Sequence, residues 1–183
     1  RRGVSTDYGR LAWPVDLHER LMRLCNEYRL EYMATVYLIE DIKIAAKYVK
    51  RFKIAAFESG CVEFTDRHAP YGREVLISVN PGAAAHWNAV MPVRLLHCVS
   101  LYPTSLEDLQ LKRIIEDDRD GLSDHTRSLV SGAVAVGLGA RAIEKHLRLV
   151  DTPTSDPDYP HSLDPEDFAR YVANIREAER MVL

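Results

Sequence analysis

The chain has 183 residues, of which 46% are hydrophobic and 28% charged, with a formal net charge of −3. That length is enough for one real core, so 1–183 reads as a single domain, and the slightly acidic balance excludes a nucleic-acid partner, which would need a basic face. No apolar run approaches the ~20 residues of a bilayer span and no leader pattern is present, so the chain reads as cytoplasmic with no membrane partner.

Cys25, Cys61 and Cys98 sit in unrelated contexts without a CxxC pair and read as reduced core thiols. The first residue is Arg1 rather than Met, so the chain need not start where its gene starts.

Leu17, Leu21, Leu24 and Tyr28 fall at helical spacing after Asp16, and Glu19 completes a capping box. Residues 30–36 read as a strand and 40–49 as a helix. The apolar runs 51–57, 74–79 and 93–99 read as three further strands, with at most a short helix over 83–90. Thr104 and Glu107 form a second capping box, predicting a helix through Leu109, Ile114 and Ile115. A short strand at 121–123 precedes a helix carrying Leu129, Val130, Ala133, Val134 and Leu138, which Gly139 is placed to end. Residues 142–145 form the last strand, and Asp164 with Pro165 opens a closing helix bearing Phe168, Val172, Ile175 and Val182. About six apolar strands alternating with helices imply an α/β fold with a helix-covered parallel sheet, and periodicity leaves open whether it closes.

In parallel α/β folds the loops after the strands converge on one crevice. Every predicted strand here ends in polar residues: Thr35, Lys53 with Glu58, Ser78, Ser100 with Tyr102, Ser123 with Asp124 and His125, and His146. Neighbouring strands lie ~4.8 Å apart, so His125 and His146 can share a divalent ion such as manganese or magnesium. The residues alone leave a second reading open, two satisfied core histidines, which is also the reading for His18, His68, His86 and His97. The hydroxyls of Thr35, Ser78, Ser100 and Ser123 with the Lys53 ammonium suit a phosphate cradle, though strand-end hydroxyls also satisfy loop backbone. Lys53 lies in an apolar run and needs a partner, Glu58 or an anionic substrate.

Residues 51–55 (RFKIA), 95–104 (LLHCVSLYPT), 121–126 (GLSDHT), 139–146 (GARAIEKH) and 156–165 (DPDYPHSLDP) together resemble the sialic acid (N-acetylneuraminate) synthase family. The resemblance covers most of 28–182 and implies a TIM-type (β/α)₈ barrel that condenses phosphoenolpyruvate with an N-acetylated sugar aldehyde. It implies a divalent metal, manganese or magnesium, on His125 and His146. It further implies a phosphoenolpyruvate site of Thr35, Lys53, Ser78 and Ser123, with Ser100 and Tyr102 from the sixth-strand string. Glu58 matches the acid after the lysine string, and Asp158 the aspartate that approaches the sugar.

Several family features have no counterpart. The first-strand glutamate, the second-strand lysine and the C-terminal antifreeze-like domain are missing, and residues 1–13 resemble at most the lead-in to the third-strand unit. Ala56, Ser78-Val79-Asn80-Pro81 and Thr35-Val36-Tyr37-Leu38 replace strings that would contact substrate. The expectation is an incomplete barrel, since strand number, tilt and shear are linked. Its edges call for missing strands upstream, a partner segment or a homo-oligomer. The alternative to a synthase is a catalytically silent barrel relative that serves as a binding or assembly module.

Overall fold

In the computed structural model, which describes residues 14–182, five short strands form one parallel sheet in sequence order. They are β1 (Phe52–Ile54), β2 (Val75–Val79), β3 (Val93–Cys98), β4 (Gly121–Asp124) and β5 (Ala142–Lys145). Parallel neighbours in sequence order require crossovers, and right-handed crossovers all pass over the same face. The sheet therefore curls as part of a (β/α) barrel rather than as a doubly wound sheet. The helices are α1 (Val15–Glu27), α2 (Ile39–Ala45), α3 (Val62–Asp66), α4 (Arg113–Glu116), α5 (Ser131–Gly137) and α6 (Pro165–Val182). None of them is long and apolar enough to cross a membrane.

Strand alternation divides the residues between two faces. Phe52, Ile54, Val75, Ile77 and Val79 form one core with Ile42, Ala45, Val49 and Phe64 from the covering segments. Leu122 packs with Leu109, Ile114, Ala135 and Ala140 in a second core. Burying each large apolar side chain is worth about 1.5–3 kcal/mol, so these two cores hold the helices on the sheet. The opposite parity puts Lys53, Ser78, Cys98, Ser123 and Glu144 together on the inner face.

Two glycines set close approaches. A Cβ on Gly121 would sit 2.1 Å from the Ala142 carbonyl oxygen, so only glycine lets β5 lie against β4. At Gly132 it would sit 2.5 Å from the Tyr171 hydroxyl, so glycine also seats α6 on α5.

The strand predicted over 30–36 is not formed. Thr35 makes one parallel bridge to Lys53, and β1 beside it is only three residues long, leaving no ladder to extend. The helix predicted from Thr104 is replaced by turns, because the Thr104 hydroxyl donates to the carbonyls of Val99 and Leu101 instead of accepting from the next turn. Gln110 then adopts φ 47°, and helix resumes only at Arg113. Residues 83–90 form no helix. α1 begins at Val15 after Pro14, without a side-chain cap from Asp16. The closing helix starts as predicted, with Asp167 N–H donating to Asp164 Oδ1 at 3.0 Å. Of the three unpaired cysteines only Cys98 is a core thiol; Cys25 is half-buried and Cys61 exposed. The reading of 1–13 lies outside the described residues.

Candidate active site

The loop after β4 is held from beneath by a buried ion pair. Asp124 and Lys145 face outward from adjacent strands, with side chains 0% and 2% exposed and Lys145 Nζ 3.1 Å from Asp124 Oδ2. Tyr171 and Ser131 donate to the same oxygen at 2.8 and 2.5 Å, and Thr126 N–H donates to Oδ1 at 2.8 Å. Lys145 also donates to the Thr126 carbonyl. Burial lowers the Lys145 ammonium's proton affinity, and Asp124 opposes that shift. This network fixes the turn that carries His125.

His125 then points into the crevice, with Nδ1 2.9 Å from the Val99 carbonyl oxygen. That contact selects the Nδ1–H tautomer and leaves Nε2 with a lone pair. The His125 ring lies 5.3 Å from that of His146, at the end of β5. Burial pushes both imidazoles below their ordinary proton affinity, toward the neutral, metal-binding form. His146 Nδ1 is 3.4 Å from Asp158 Oδ2, and His161 Nε2 is 3.5 Å from Asp158 Oδ1. His146, Asp158 and His161 offer ligand atoms all within 4.8 Å of one another, a nitrogen and oxygen set suited to a divalent cation.

On the other side of the crevice, Lys53 is buried and donates to Ser78 Oγ at 2.8 Å and to its neighbour's carbonyl, Ile54 O, at 2.9 Å. Its carboxylate partner is Glu144, at 3.5 Å, which also accepts from Ser123 Oγ at 2.6 Å. Tyr102 connects the two sides. Its ring lies 4.3 Å from that of His125. Burial pushes its phenol up to about 12, with Cys98, Ser100 and Glu144 also acting on it.

The structure thus brings Lys53, Ser78, Ser123, Tyr102, His125, His146 and Asp158 into one crevice, with Thr35 bridged to Lys53 at its edge. Glu58 does not form the ion pair with Lys53 that sequence offered as one option; Glu144 does. The Glu58 carboxyl is pushed up by burial, and its Oε2 is buried without a hydrogen-bond partner, while Ser100 lies beside Tyr102 and Cys98. His68 and His97 are core histidines, bonded to Phe64 and Leu109 carbonyls at 3.1 and 2.7 Å. His86 is exposed rather than core, and His18 is half-buried against Tyr32.

Sequence reasoning missed Glu144, His161 and Asn80. Glu144 has a signal in strand parity, being two residues before His146 and opposite Ser123. His161 stands three residues after Asp158 in the same loop. Asn80 Oδ1 accepts from Ser100 N–H at 2.9 Å, tying the ends of β2 and β3 together.

Comparison with known proteins agrees with this architecture. The chain is 31% identical over 184 residues to the N,N'-diacetyllegionaminic acid synthase of Legionella pneumophila, covering 90% of this chain and 51% of that protein. It is 29% identical over 198 residues to a pseudaminic acid synthase of Campylobacter jejuni, covering 98% and 56%. The chain therefore spans about half the length of these curated relatives. A crystal structure of N-acetylneuraminic acid synthetase from Leptospira borgpetersenii superposes with a TM-score of 0.79 at 23% identity, covering 90% of this chain and 64% of that one, which establishes the shared fold. The NeuB family profile matches residues 4–182, and the chain belongs to the NeuB family.

Proposed function

We propose that this chain forms the metal and phosphate sides of a nonulosonic acid synthase centre. The reaction joins phosphoenolpyruvate to an N-acetylated sugar aldehyde, N-acetylmannosamine or a relative, and releases phosphate. The observation that supports this reading most is the continuity of the inner face, where Lys53–Ser78, Ser123–Glu144, Tyr102 and the histidines line one crevice. The names of the relatives support the product class.

In the proposed reaction the methylene carbon of phosphoenolpyruvate bonds to the aldehyde carbon, water supplies the oxygen at its neighbour, and loss of phosphate leaves the keto acid. Lys53 faces the phosphate, and an incoming anion competes with Glu144 for its ammonium. Thr35, Ser78, Ser100 and Ser123 supply hydroxyl donors around it. Glu58, its carboxyl raised by burial, is placed to hold or pass a proton, and exposed Asp158 faces the sugar side. Tyr102 stays protonated and donates between the two substrates.

His125, through its free Nε2, and His146 are the residues that hold a divalent cation, manganese or magnesium. Such an ion, when bound, supplies Lewis-acid polarisation of the sugar carbonyl. The five strands among the described residues do not by themselves close a barrel of this type, and in this reading a further segment or a second copy of the chain, in the cytoplasm, completes the proposed centre.

The test is phosphate release from phosphoenolpyruvate plus N-acetylmannosamine in the presence of manganese, compared with Lys53→Met. Release that disappears in the variant is expected. If the chain neither releases phosphate nor binds phosphoenolpyruvate, the open sheet edges favour a silent binding or assembly module instead.

A further inference from the structure

His161 is the one histidine of the crevice that sequence did not single out, and its surroundings differ from those of the core histidines. It is 1% exposed, yet neither ring nitrogen makes a hydrogen bond; the nearest acceptor, Asp158 Oδ1, stands 3.5 Å from Nε2 outside bonding geometry. His68, His97 and His125 are also buried, and each ties one ring nitrogen to a backbone carbonyl. A buried imidazole with both nitrogens unsatisfied costs free energy unless something else fills the coordination.

Its position is built by the backbone. The 3₁₀ turn Tyr159–His161 follows an Asp156 side-chain turn, in which Asp156 Oδ1 accepts from Asp158 N–H at 2.9 Å. The Ser162 hydroxyl then donates to the Asp158 carbonyl at 2.7 Å. Leu163 N–H donates to the His146 carbonyl at 3.0 Å, beside a parallel bridge between Leu147 and Leu163. That stitch brings the His161 ring to 4.5 Å from His146 and 6.1 Å from His125, with Asp158 between His146 and His161.

We propose that His161 is a further metal ligand, adding a third imidazole to the His125–His146 pair and making the site favour first-row transition ions, which accept imidazole more readily, over magnesium. The inference rests on the metal reading above and deepens it. Magnesium prefers oxygen ligands and sheds water reluctantly, whereas imidazoles suit first-row transition ions, so each added histidine widens the gap.

The experiment uses the whole chain, freed of metal by chelation and titrated with manganese and magnesium separately by calorimetry. Wild type is expected to bind one manganese ion, and His161→Phe, which keeps the slot filled with an apolar ring, to bind it at least about tenfold more weakly. The magnesium affinity should change less than twofold. Manganese affinity unchanged in His161→Phe, with binding lost in His146→Ala, overturns the role of His161 and keeps the metal reading. No manganese binding by wild type overturns both.

A second measurement needs no variant. Wild type with ¹⁵N-labelled histidine and bound ¹¹³Cd is expected to show a metal–nitrogen coupling at His161. Coupling at His146 without one at His161 overturns the proposal even if His161→Phe fails to fold.

Discussion

Two lysines, Lys53 and Lys145, are buried on this sheet, and their surroundings differ in a way that separates scaffold from site. Lys145 faces the helices, where Asp124, Ser131, Thr126 and Tyr171 form a closed, dry network around the charge. Lys53 faces the hollow of the half-barrel. Its carboxylate partner stands 3.5 Å away with a side chain 40% exposed, and the buried Glu58 Oε2 lacks a hydrogen-bond partner. The same residue type is structural where its partners are complete and available for a ligand where they are not.

The contrast is broken most severely at the outer pair. Asp124→Asn keeps the shape but leaves the Lys145 ammonium uncompensated, and is expected to cost about 3–5 kcal/mol by denaturant unfolding. It should also displace His125 by loosening the 124–126 turn. Lys53→Met removes a charge whose carboxylate partner keeps its Ser123 bond and partial exposure, while buried Ser78 Oγ loses its donor, and should cost about 1–2 kcal/mol in the same measurement. Its effect is expected on phosphoenolpyruvate affinity, read by calorimetry. Similar stability losses in the two variants would erase the distinction.

The pH dependence sharpens the comparison through His68 and His97, which lie outside the crevice. Burial lowers both folded-state proton affinities from an ordinary value of 6.5. The unfolded chain therefore binds more protons, and stability rises with pH. Their contribution is fully present above about 6.5 and is lost as pH falls from there toward the lowered folded-state values. Tm should decline from pH 7.5 to 5; a Tm that rises over that range contradicts the assignment. The smallest effect belongs to the rim, where Glu74 pairs with Arg51 and Arg94 at 2.8 Å on the partly exposed strand entrance. Glu74→Gln should shift stability by at most about 1 kcal/mol, less in high salt.

Much of this was legible in the sequence. β2 to β5 and α6 follow from apolar runs and from the Asp164-Pro165 start, because those signals agree with their tertiary setting. The 30–36 strand failed because strand formation depends on a neighbour, and β1 offers Thr35 only one bridge. The capping box at Thr104 failed because a hydroxyl can donate as well as accept, and here two carbonyls claim it. Motif strings placed His125, His146, Lys53 and Asp158 in one crevice. Glu144 and His161 escaped notice because their roles depend on which face and which loop meet in space, and a string of residues does not display that directly.

The most direct test of the central claim, that the hollow of the half-barrel is a metal site, is manganese calorimetry on the whole chain beside His125→Ala and His146→Ala. One site per chain, lost in His146→Ala and at least tenfold weaker in His125→Ala, is the predicted result. Binding unchanged in both variants, or no binding by the wild type, would contradict it.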